Sequence, residues 1–313
     1  MFKIHKTSSG KGQTLQIISG CETTKANISL SNGGSLEQLV IGNEEIITNL
    51  SHLSYNHTYA SSILFPFANR IKDGKYRYMG ENYNLECNET AGNNALHGLV
   101  YNKNFSLVEQ NCHSKSALVR LSYNEVEPHP GFTFLFTIDL IYKISLNTIT
   151  LEIEITNTDR IPFPFTIGWH PYFVMNDTQS SLEFNSVKKL ESDERNITTG
   201  ITVLKTPNPL YLNNMSLDDA FVLEDNNVAF DTQRYRANLT VCDESKYLQL
   251  YTPKHDNAIA IEPMTGVSDS FNNGIGLKKL NPKEKFNIKW ILDISIKPKQ
   301  YEYRIDSERK REF

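Results

Sequence analysis

Two side chains far apart in the sequence have the types needed for acid/base chemistry. His170 lies between a tryptophan and a proline in an aromatic-rich stretch, and Glu262 follows an apolar run and precedes a proline. An imidazole titrates near neutral pH, and a carboxylate beside apolar residues is a candidate for a perturbed pKa. A carboxylate base and a histidine acid suit a substrate whose two reacting oxygens lie on opposite sides of one carbon.

Each candidate also has a purely structural interpretation. A lone histidine is more often a core residue with a satisfied hydrogen bond, and Glu262 taken alone is more often a solvated strand end. Arg70 lies among apolar neighbours and must have a partner, because an unpaired buried charge is costly. That partner is either a carboxylate in an ion pair or the hydroxyl groups of a ligand, and the sequence leaves both open.

Motifs for several other chemistries are missing from the sequence. There is no Gly-rich nucleotide loop, no G-x-S-x-G elbow and no H-E-x-x-H metal motif. Four widely spaced cysteines form no zinc pattern, so we expect free thiols in a reducing compartment; they are Cys21, Cys87, Cys112 and Cys242. The remaining interpretation is proton transfer with no cofactor and no metal.

The composition excludes some partners. With 313 residues, of which 39% are hydrophobic and 22% charged, the chain can bury a packed core. Its net charge of −4 provides no basic field for nucleic acid. No apolar run reaches the roughly 18 residues of a membrane span, and the polar sequence after Met1 lacks the apolar region of a signal peptide. We therefore expect a cytoplasmic protein that binds neither nucleic acid nor membrane.

Strands with alternating hydrophobicity must position these residues. Apolar side chains recur at every second position in Phe132–Tyr142, Thr148–Thr158 and Phe286–Ile296, which is typical of antiparallel strands with one buried face. Around His170, two prolines and a glycine interrupt regular pairing. No repeat or linker divides the chain, so we predict one all-β domain over residues 1–313, with a charged tail at 297–313.

Five short segments resemble motifs of the aldose 1-epimerase (galactose mutarotase-like) family. They occur in the family's order and span nearly the full chain, which makes the set far more specific than any single match. The segments are Asn69-Arg70-Ile71 with Gly74, Leu96-His97-Gly98, His170-Pro171-Tyr172-Phe173, Asp218–Phe221 and Glu262-Pro263.

The resemblance implies a fold and an activity. The fold is a large antiparallel β-sandwich, the galactose mutarotase-like supersandwich, with few short helices. The implied activity interconverts the anomers of an aldohexose such as glucose or galactose. Glu262 takes the proton of the O1 hydroxyl, His170 protonates the ring oxygen, and the ring opens and closes on the other face. The residues implied in sugar binding are Asn69, Arg70, His97, Tyr172 and Asp218, with Asp219 as the alternative to Asp218.

This mechanism sets expectations for the geometry. His170 and Glu262 should converge on one cleft, with their reacting atoms too far apart to bond each other, because the anomeric carbon must fit between them. Glu262 should be ionised and His170 protonated, so that the rate falls at both low and high pH.

Two other functions fit the same fold. A hexose-6-phosphate 1-epimerase would need a cationic cluster at the cleft mouth, which Lys72, Lys75 and Arg77 could provide. A non-catalytic carbohydrate-binding β-sandwich would tolerate loss of the acid or the base, yet the sequence has both. In each case the expected partner is a small-molecule sugar, and the protein is expected to be a monomer or homodimer.

Overall fold

The protein is built almost entirely of strands. The computed structural model describes residues 1–10, 12–175, 179–213, 215–242 and 244–298, so the charged tail expected at 297–313 lies outside these residues from position 299 onward. Two helices of one turn each occur in the described ranges, α1 (Tyr55–Thr58) and α2 (Ser270–Asn273). No helix in these ranges is long and apolar enough to span a bilayer.

The strands of the described ranges follow one another closely along the chain. In chain order they are β1 (Lys3–Ser9), β2 (Gly12–Ile18), β3 (Thr24–Ser29), β4 (Leu36–Ile41), β5 (Glu44–Thr48), β6 (Ile63–Leu64), β7 (Arg70–Lys72), β8 (Lys75–Tyr78), β9 (Glu81–Asn84), β10 (Asn94–Leu96), β11 (Ser106–Cys112), β12 (Ser116–Glu125), β13 (Phe136–Ser145), β14 (Thr148–Asn157), β15 (Phe163–Phe165), β16 (Gly168–Trp169), β17 (Tyr172–Val174), β18 (Ser181–Glu183), β19 (Lys188–Ser192), β20 (Thr198–Val203), β21 (Leu210–Tyr211), β22 (Asp218–Val222), β23 (Asn227–Asp231), β24 (Tyr235–Thr240), β25 (Tyr247–Tyr251), β26 (Ala258–Met264), β27 (Lys278–Leu280) and β28 (Lys285–Ile296).

Two large antiparallel sheets form a sandwich. The first has the order β1-β2-β3-β4-β5-β17-β26-β25-β22-β19-β20, with β16 joined to β26 and β6. The second has the order β11-β12-β13-β14-β28-β24-β23-β18-β21. The indole rings of Trp169, in the first sheet, and Trp290, in the second, stack in the core with centroids 6.2 Å apart. The all-β antiparallel sandwich predicted from the sequence is confirmed.

The alternation in the sequence matches the strands that it predicted, with one boundary displaced. In β13 and β14, every second residue is buried, as a half-buried antiparallel pair requires. The strand predicted to begin at Phe132 begins instead at Phe136. The reason is that the neighbouring strands end there, since Phe136 pairs with Glu125 on one side and Asn157 on the other. Phe132 and Phe134 are nevertheless buried in the core.

Candidate active site

The register of the first sheet places His170 opposite Glu262. Gly168 of β16 pairs with Met264, and Tyr172 of β17 pairs with Ala260, so the same antiparallel register continues across the interruption between β16 and β17. Pro171 lacks a backbone donor and breaks the ladder at this point, while its carbonyl accepts from the backbone N of Ile261 at 3.3 Å. Pairing is thus interrupted at Pro171 as predicted, whereas the other two predicted interruptions, Pro164 and Gly168, lie within the paired strands β15 and β16.

His170 and Glu262 contact each other directly. The Nε2 atom of His170 lies 3.3 Å from Oε1 of Glu262, and their side chains are only 6% and 3% exposed. The expected separation of the reacting atoms is therefore wrong, because cross-strand neighbours on one face approach closely. The alternative that Glu262 is a solvated strand end is also wrong, since β26 continues through Pro263 to Met264 and Glu262 is buried.

Burial shifts the pKa of both groups toward their neutral forms. Desolvation raises the pKa of Glu262 well above its ordinary value, and the nearby carboxylate of Asp218 raises it further. Desolvation lowers the pKa of His170 to about 4. In the described part of the protein, Glu262 Oε2 and His170 Nδ1 have no hydrogen-bond partner. The expected charges, an anionic Glu262 and a cationic His170, are therefore disfavoured in the sugar-free protein.

The Asn-Arg-Ile and Leu-His-Gly segments meet beside this pair. Strand β7 pairs with β10, so Arg70 lies opposite Leu96, and the backbone N of His97 donates to the carbonyl of Asn69 at 2.9 Å. Asn69 and His97 have φ angles of 61° and 62°, a left-handed conformation that few residues other than glycine adopt and that asparagine and histidine tolerate better than most. Gly98 is required at its position, because a Cβ there would overlap the backbone carbonyl of Phe65.

Aromatic rings surround the imidazole of His170. His97 meets it edge-on with ring centroids 5.1 Å apart, and the Tyr172 ring lies at 5.1 Å on a tilted plane. Tyr59 packs edge-on against His97 at 4.8 Å. Burial, with smaller effects from His170 and Arg70, lowers the pKa of His97 well below its ordinary value. His97 is thus neutral near neutral pH, and its buried Nδ1 has no hydrogen-bond partner in the described protein.

Arg70 forms an ion pair and also borders the cleft. Its Nε donates to both carboxylate oxygens of Glu89 at 2.9 and 3.1 Å, and its Nη2 donates to Oε1 at 2.8 Å. Its Nη1 donates to Oδ1 of Asn69 at 2.9 Å. The ion-pair alternative raised by the sequence is therefore real, and Glu89 is the partner that the sequence did not identify.

A chain of amide and carboxylate groups crosses the floor of the cleft. Asn69 Nδ2 donates to Oε1 of Gln249 at 3.3 Å, and Gln249 Nε2 donates to Oδ1 of Asp218 at 2.9 Å. Gln249 pairs in register with Glu262, which places it one strand from the acid/base pair. Asp219 instead forms an ion pair with Lys189. Asp218, and not its neighbour, therefore belongs to this hydrogen-bonded set; Gln249 was missed because nothing in its local sequence marks it.

A cleft of about 410 Å³ lies beside these groups. Its lining includes Asn69, Arg70, Asp218, Gln249 and Lys189, whereas His170 and Glu262, which were expected to converge on one cleft, are not among its lining residues in the described protein. The group Lys72, Lys75 and Arg77, considered as a phosphate site, is not part of this lining in the described protein. The residues are exposed elsewhere on β7 and β8, and Lys72 Nζ lies 4.0 Å from an oxygen of Asp193.

The fold and the site together define a β-sandwich protein with a buried carboxylate–histidine pair beside a polar cleft, an arrangement that suits proton transfer on a small hydroxylated ligand. The family model for aldose 1-epimerase matches residues 14–293. The chain belongs to the aldose 1-epimerase family. Membership supports an isomerase of the epimerase type.

Several known proteins are similar to this chain. YihR from Escherichia coli (strain K12) is 26% identical over 237 residues, which cover 70% of this chain and 74% of that protein. Among solved structures, a galactose mutarotase-like protein from Clostridium acetobutylicum has a TM-score of 0.84 at 20% identity, covering 95% of this chain and 99% of its own. The galactose 1-epimerase from Lactobacillus acidophilus NCFM has a TM-score of 0.78 at 16% identity, with 95% and 99% coverage.

Proposed function

We propose that this protein is an aldose 1-epimerase that interconverts the α and β anomers of a free aldohexose. The observation that carries the proposal is the contact of His170 Nε2 with Glu262 Oε1 at 3.3 Å in a desolvated site. The contact lies beside the amide, carboxylate and guanidinium groups of the cleft. Family membership and the match of all five motifs in order support the same reaction.

The two proton transfers would be balanced within the pair. Glu262 accepts the O1 proton as the C1–O5 bond breaks and C1=O1 forms, while His170 donates a proton to O5. Rotation about C1–C2 presents the other face of the aldehyde. His170 then takes the proton back from O5 as the hydroxyl attacks C1, and Glu262 returns the proton to O1. The hydroxyls would be held by Asn69, Arg70 and Asp218, and such orientation is worth several kcal/mol.

The substrate-binding groups favour a neutral sugar. The guanidinium of Arg70 is already neutralised by Glu89, and Lys189 is neutralised by Asp219. Lys72, Lys75 and Arg77, which were considered for a phosphate, are not among the residues that line the cleft in the described protein. We therefore expect an unphosphorylated hexose to be preferred over its 6-phosphate.

Polarimetry tests the reaction directly. Mutarotation rates should be measured with glucose, galactose, xylose and glucose 6-phosphate, for the wild type and for Glu262→Gln. Loss of the base should lower turnover by roughly a hundredfold or more, the usual scale for one positioned proton-transfer group, while calorimetry shows sugar binding retained. Glu125→Gln is a matched control, because Glu125 is a buried glutamate that bonds Tyr123 at 2.9 Å.

The outcomes separate the competing functions. Near wild-type turnover in Glu262→Gln with binding intact would mean that the base lies elsewhere. Faster mutarotation of glucose 6-phosphate than of any free sugar would favour the phosphohexose epimerase. Sugar binding by the wild type without any acceleration of mutarotation would indicate a carbohydrate-binding protein.

A further inference from the structure

The turn between β19 and β20 reaches both sides of the candidate site. Asp193 Oδ1 accepts from the backbone N atoms of Arg195 and Ile197 at 2.9 and 3.0 Å, which holds a tight turn. Asn196 has a φ of 58°, a conformation that asparagine tolerates better than most residues. The turn directs the adjacent side chains of Arg195 and Asn196 to two different sets of partners.

Arg195 connects to Arg70 through two intermediate residues. Its Nη2 donates to Oδ1 of Asn94 at 2.9 Å, and Asn94 Nδ2 donates to Oε2 of Glu89 at 2.8 Å. Glu89 in turn accepts three hydrogen bonds from Arg70. Asn94 is fully buried, so solvent cannot replace its hydrogen bonds. A displacement of the Arg195 guanidinium is therefore passed on to the guanidinium of Arg70. Arg195 is itself fixed by Asp73 Oδ1 at 2.8 Å.

Asn196 lines the cleft itself and connects to its opposite side. Its Nδ2 donates to Oδ2 of Asp218 at 3.0 Å, and Oδ1 of Asp218 accepts from Gln249 at 2.9 Å. Gln249 accepts from Asn69, whose Oδ1 accepts from Arg70. The two connections therefore meet at Arg70, and together they form a closed ring of hydrogen bonds that passes through the turn.

We propose that Arg195 and Asn196 are positioning residues, which set the distance and orientation between Arg70 and Asp218 so that both reach one hexose. The inference rests on the proposed function for the identity of the ligand. It assigns a role in sugar binding to the β19–β20 turn. This turn lies outside the sequence motifs that contain His170 and Glu262, and in the described protein it contacts neither residue.

The location of these contacts separates positioning from stability. Arg195 is 26% exposed and Asp73 is 41% exposed, and exposed ion pairs add little to the free energy of unfolding. Loss of the Asp73 pair alone should leave the melting temperature nearly unchanged, whereas Arg195→Met also removes the donor to the buried Asn94 and to two backbone carbonyls and should lower it measurably. A misplacement of about 1 Å in a binding group, in contrast, can lower reactivity by up to ~100-fold. KM and sugar Kd are therefore measured at a temperature at which each variant is fully folded, so that a change in them reports on positioning and not on unfolding.

The test uses Arg195→Met and Asn196→Gly in the full-length protein, since glycine keeps the positive φ and removes only the amide. Each should raise KM for galactose or glucose by about tenfold and lower kcat less than threefold, because binding groups and not the acid/base pair are displaced. The pH profile of kcat should keep both its acid limb and its alkaline limb, because the acid/base pair is unchanged. Arg195→Lys should recover part of the loss, since an ammonium reaches one acceptor but cannot bridge several.

Two further variants sharpen the test. Glu89→Gln should raise KM as well, and combined with Arg195→Met it should give less than the product of the single effects, because both act on Arg70 through one connection. Arg236→Met is the matched control: Arg236 is 34% exposed and donates two hydrogen bonds to Glu183 in the second sheet. It should leave KM unchanged.

The Kd values for galactose and glucose are measured by calorimetry with the turn variants combined with Glu262→Gln. Because Glu262→Gln is expected to be nearly inactive, these values test the inference independently of turnover. If the wild type binds sugar without accelerating mutarotation, the proposed function fails, while a tenfold weaker Kd in the two turn variants still supports the positioning role. Wild-type KM and Kd in both turn variants would overturn the inference, as would an equal change in Arg236→Met. A wild type that neither binds nor converts these sugars overturns both.

Discussion

Replacement of Glu262 by glutamine should stabilise the protein increasingly as the pH rises. Glu262 is 2% exposed, and burial raises its pKa well above the ordinary value of 4.5. A group whose pKa is raised on folding contributes its stability below the unfolded pKa, and that contribution is lost as the pH rises through the folded pKa. Glutamine has nearly the shape of the protonated acid and does not ionise, so the variant avoids this loss.

The size of the effect follows from linkage. Between pH 4.5 and the folded pKa, the unfolded chain releases the Glu262 proton and the folded protein keeps it, so the wild type loses about 1.4 kcal/mol per pH unit relative to the variant. In a protein of this size 1 kcal/mol corresponds to a change in Tm of roughly 2 °C, which gives about 3 °C per pH unit.

His170 has the opposite sign and must be separated from this effect. Its pKa falls from 6.5 to about 4 on folding, so its contribution is present above 6.5 and is lost as the pH falls through 4. In the difference in Tm between variant and wild type, the contribution of His170 cancels to a first approximation, and so do the contributions of all other titrating groups. Scanning calorimetry at half-unit steps from pH 4 to 8 measures the difference.

The outcome that refutes this reasoning is a difference in Tm that stays constant or falls over that range. It would mean that Glu262 is ionised in the folded protein at neutral pH and that its pairing with a cationic His170 outweighs desolvation. Glu125→Gln is the control for the substitution itself: Glu125 lies 3.8 Å from Lys103 and accepts from Tyr123, so this variant should not gain Tm as the pH rises.

Three further predictions concern Arg70, the pH dependence of the reaction and a buried amide in the core. Arg70→Met should weaken sugar binding and lower turnover together, because the guanidinium is lost from the cleft; unchanged kinetics with reduced stability would mean that Arg70 serves only its ion pair with Glu89. The value of kcat/KM, which reports the pKa values of the sugar-free protein, should be bell-shaped in pH, with the acid limb near the lowered pKa of His170, about 4, and the alkaline limb at the raised pKa of Glu262; a value that is flat with pH would exclude the pair. Asn157→Ala, which removes a fully buried amide that donates to two carbonyls at 2.9 Å, should lower the unfolding free energy by about 3 kcal/mol in denaturant titration without changing turnover at saturating sugar.

The strands could be predicted from the sequence because hydrophobic alternation is a local property. Residues Thr148–Asn157 and Lys285–Ile296 alternate for ten or more positions, and the burial patterns follow that alternation. The start of β13 could not be predicted in this way. Phe132 and Phe134 continue the alternation and are buried, yet they have no partner strands, and the end of a partner strand is not visible in the residues themselves.

Motifs indicated the candidate site residues, but they did not predict the distances and contacts between those residues. The contact between His170 and Glu262 depends on the register of β26 against β16 and β17, which is set by pairing over long sequence distances. Gln249 and Glu89 have no motif that marks them, and each is assigned only by a hydrogen bond to a residue far along the chain. Motifs therefore mark the ends of this hydrogen-bonded network, whereas its connecting residues, Gln249 and Glu89, carry no mark in the sequence.

The direct contact of His170 with Glu262 changes how the acid and base acquire their working charges. A neutral pair and an ion pair bind the same single proton, so transfer from Glu262 Oε1 to His170 Nε2 across 3.3 Å produces the reactive form without exchange with solvent. Burial favours the neutral form when the site holds no sugar. A hexose that places O1 at the carboxylate and O5 at the imidazole gives each charge a hydrogen-bonding partner and separates the two groups. In the proposed mechanism, the charged form therefore exists mainly when the sugar is bound, and the active protonation state is a property of the complex.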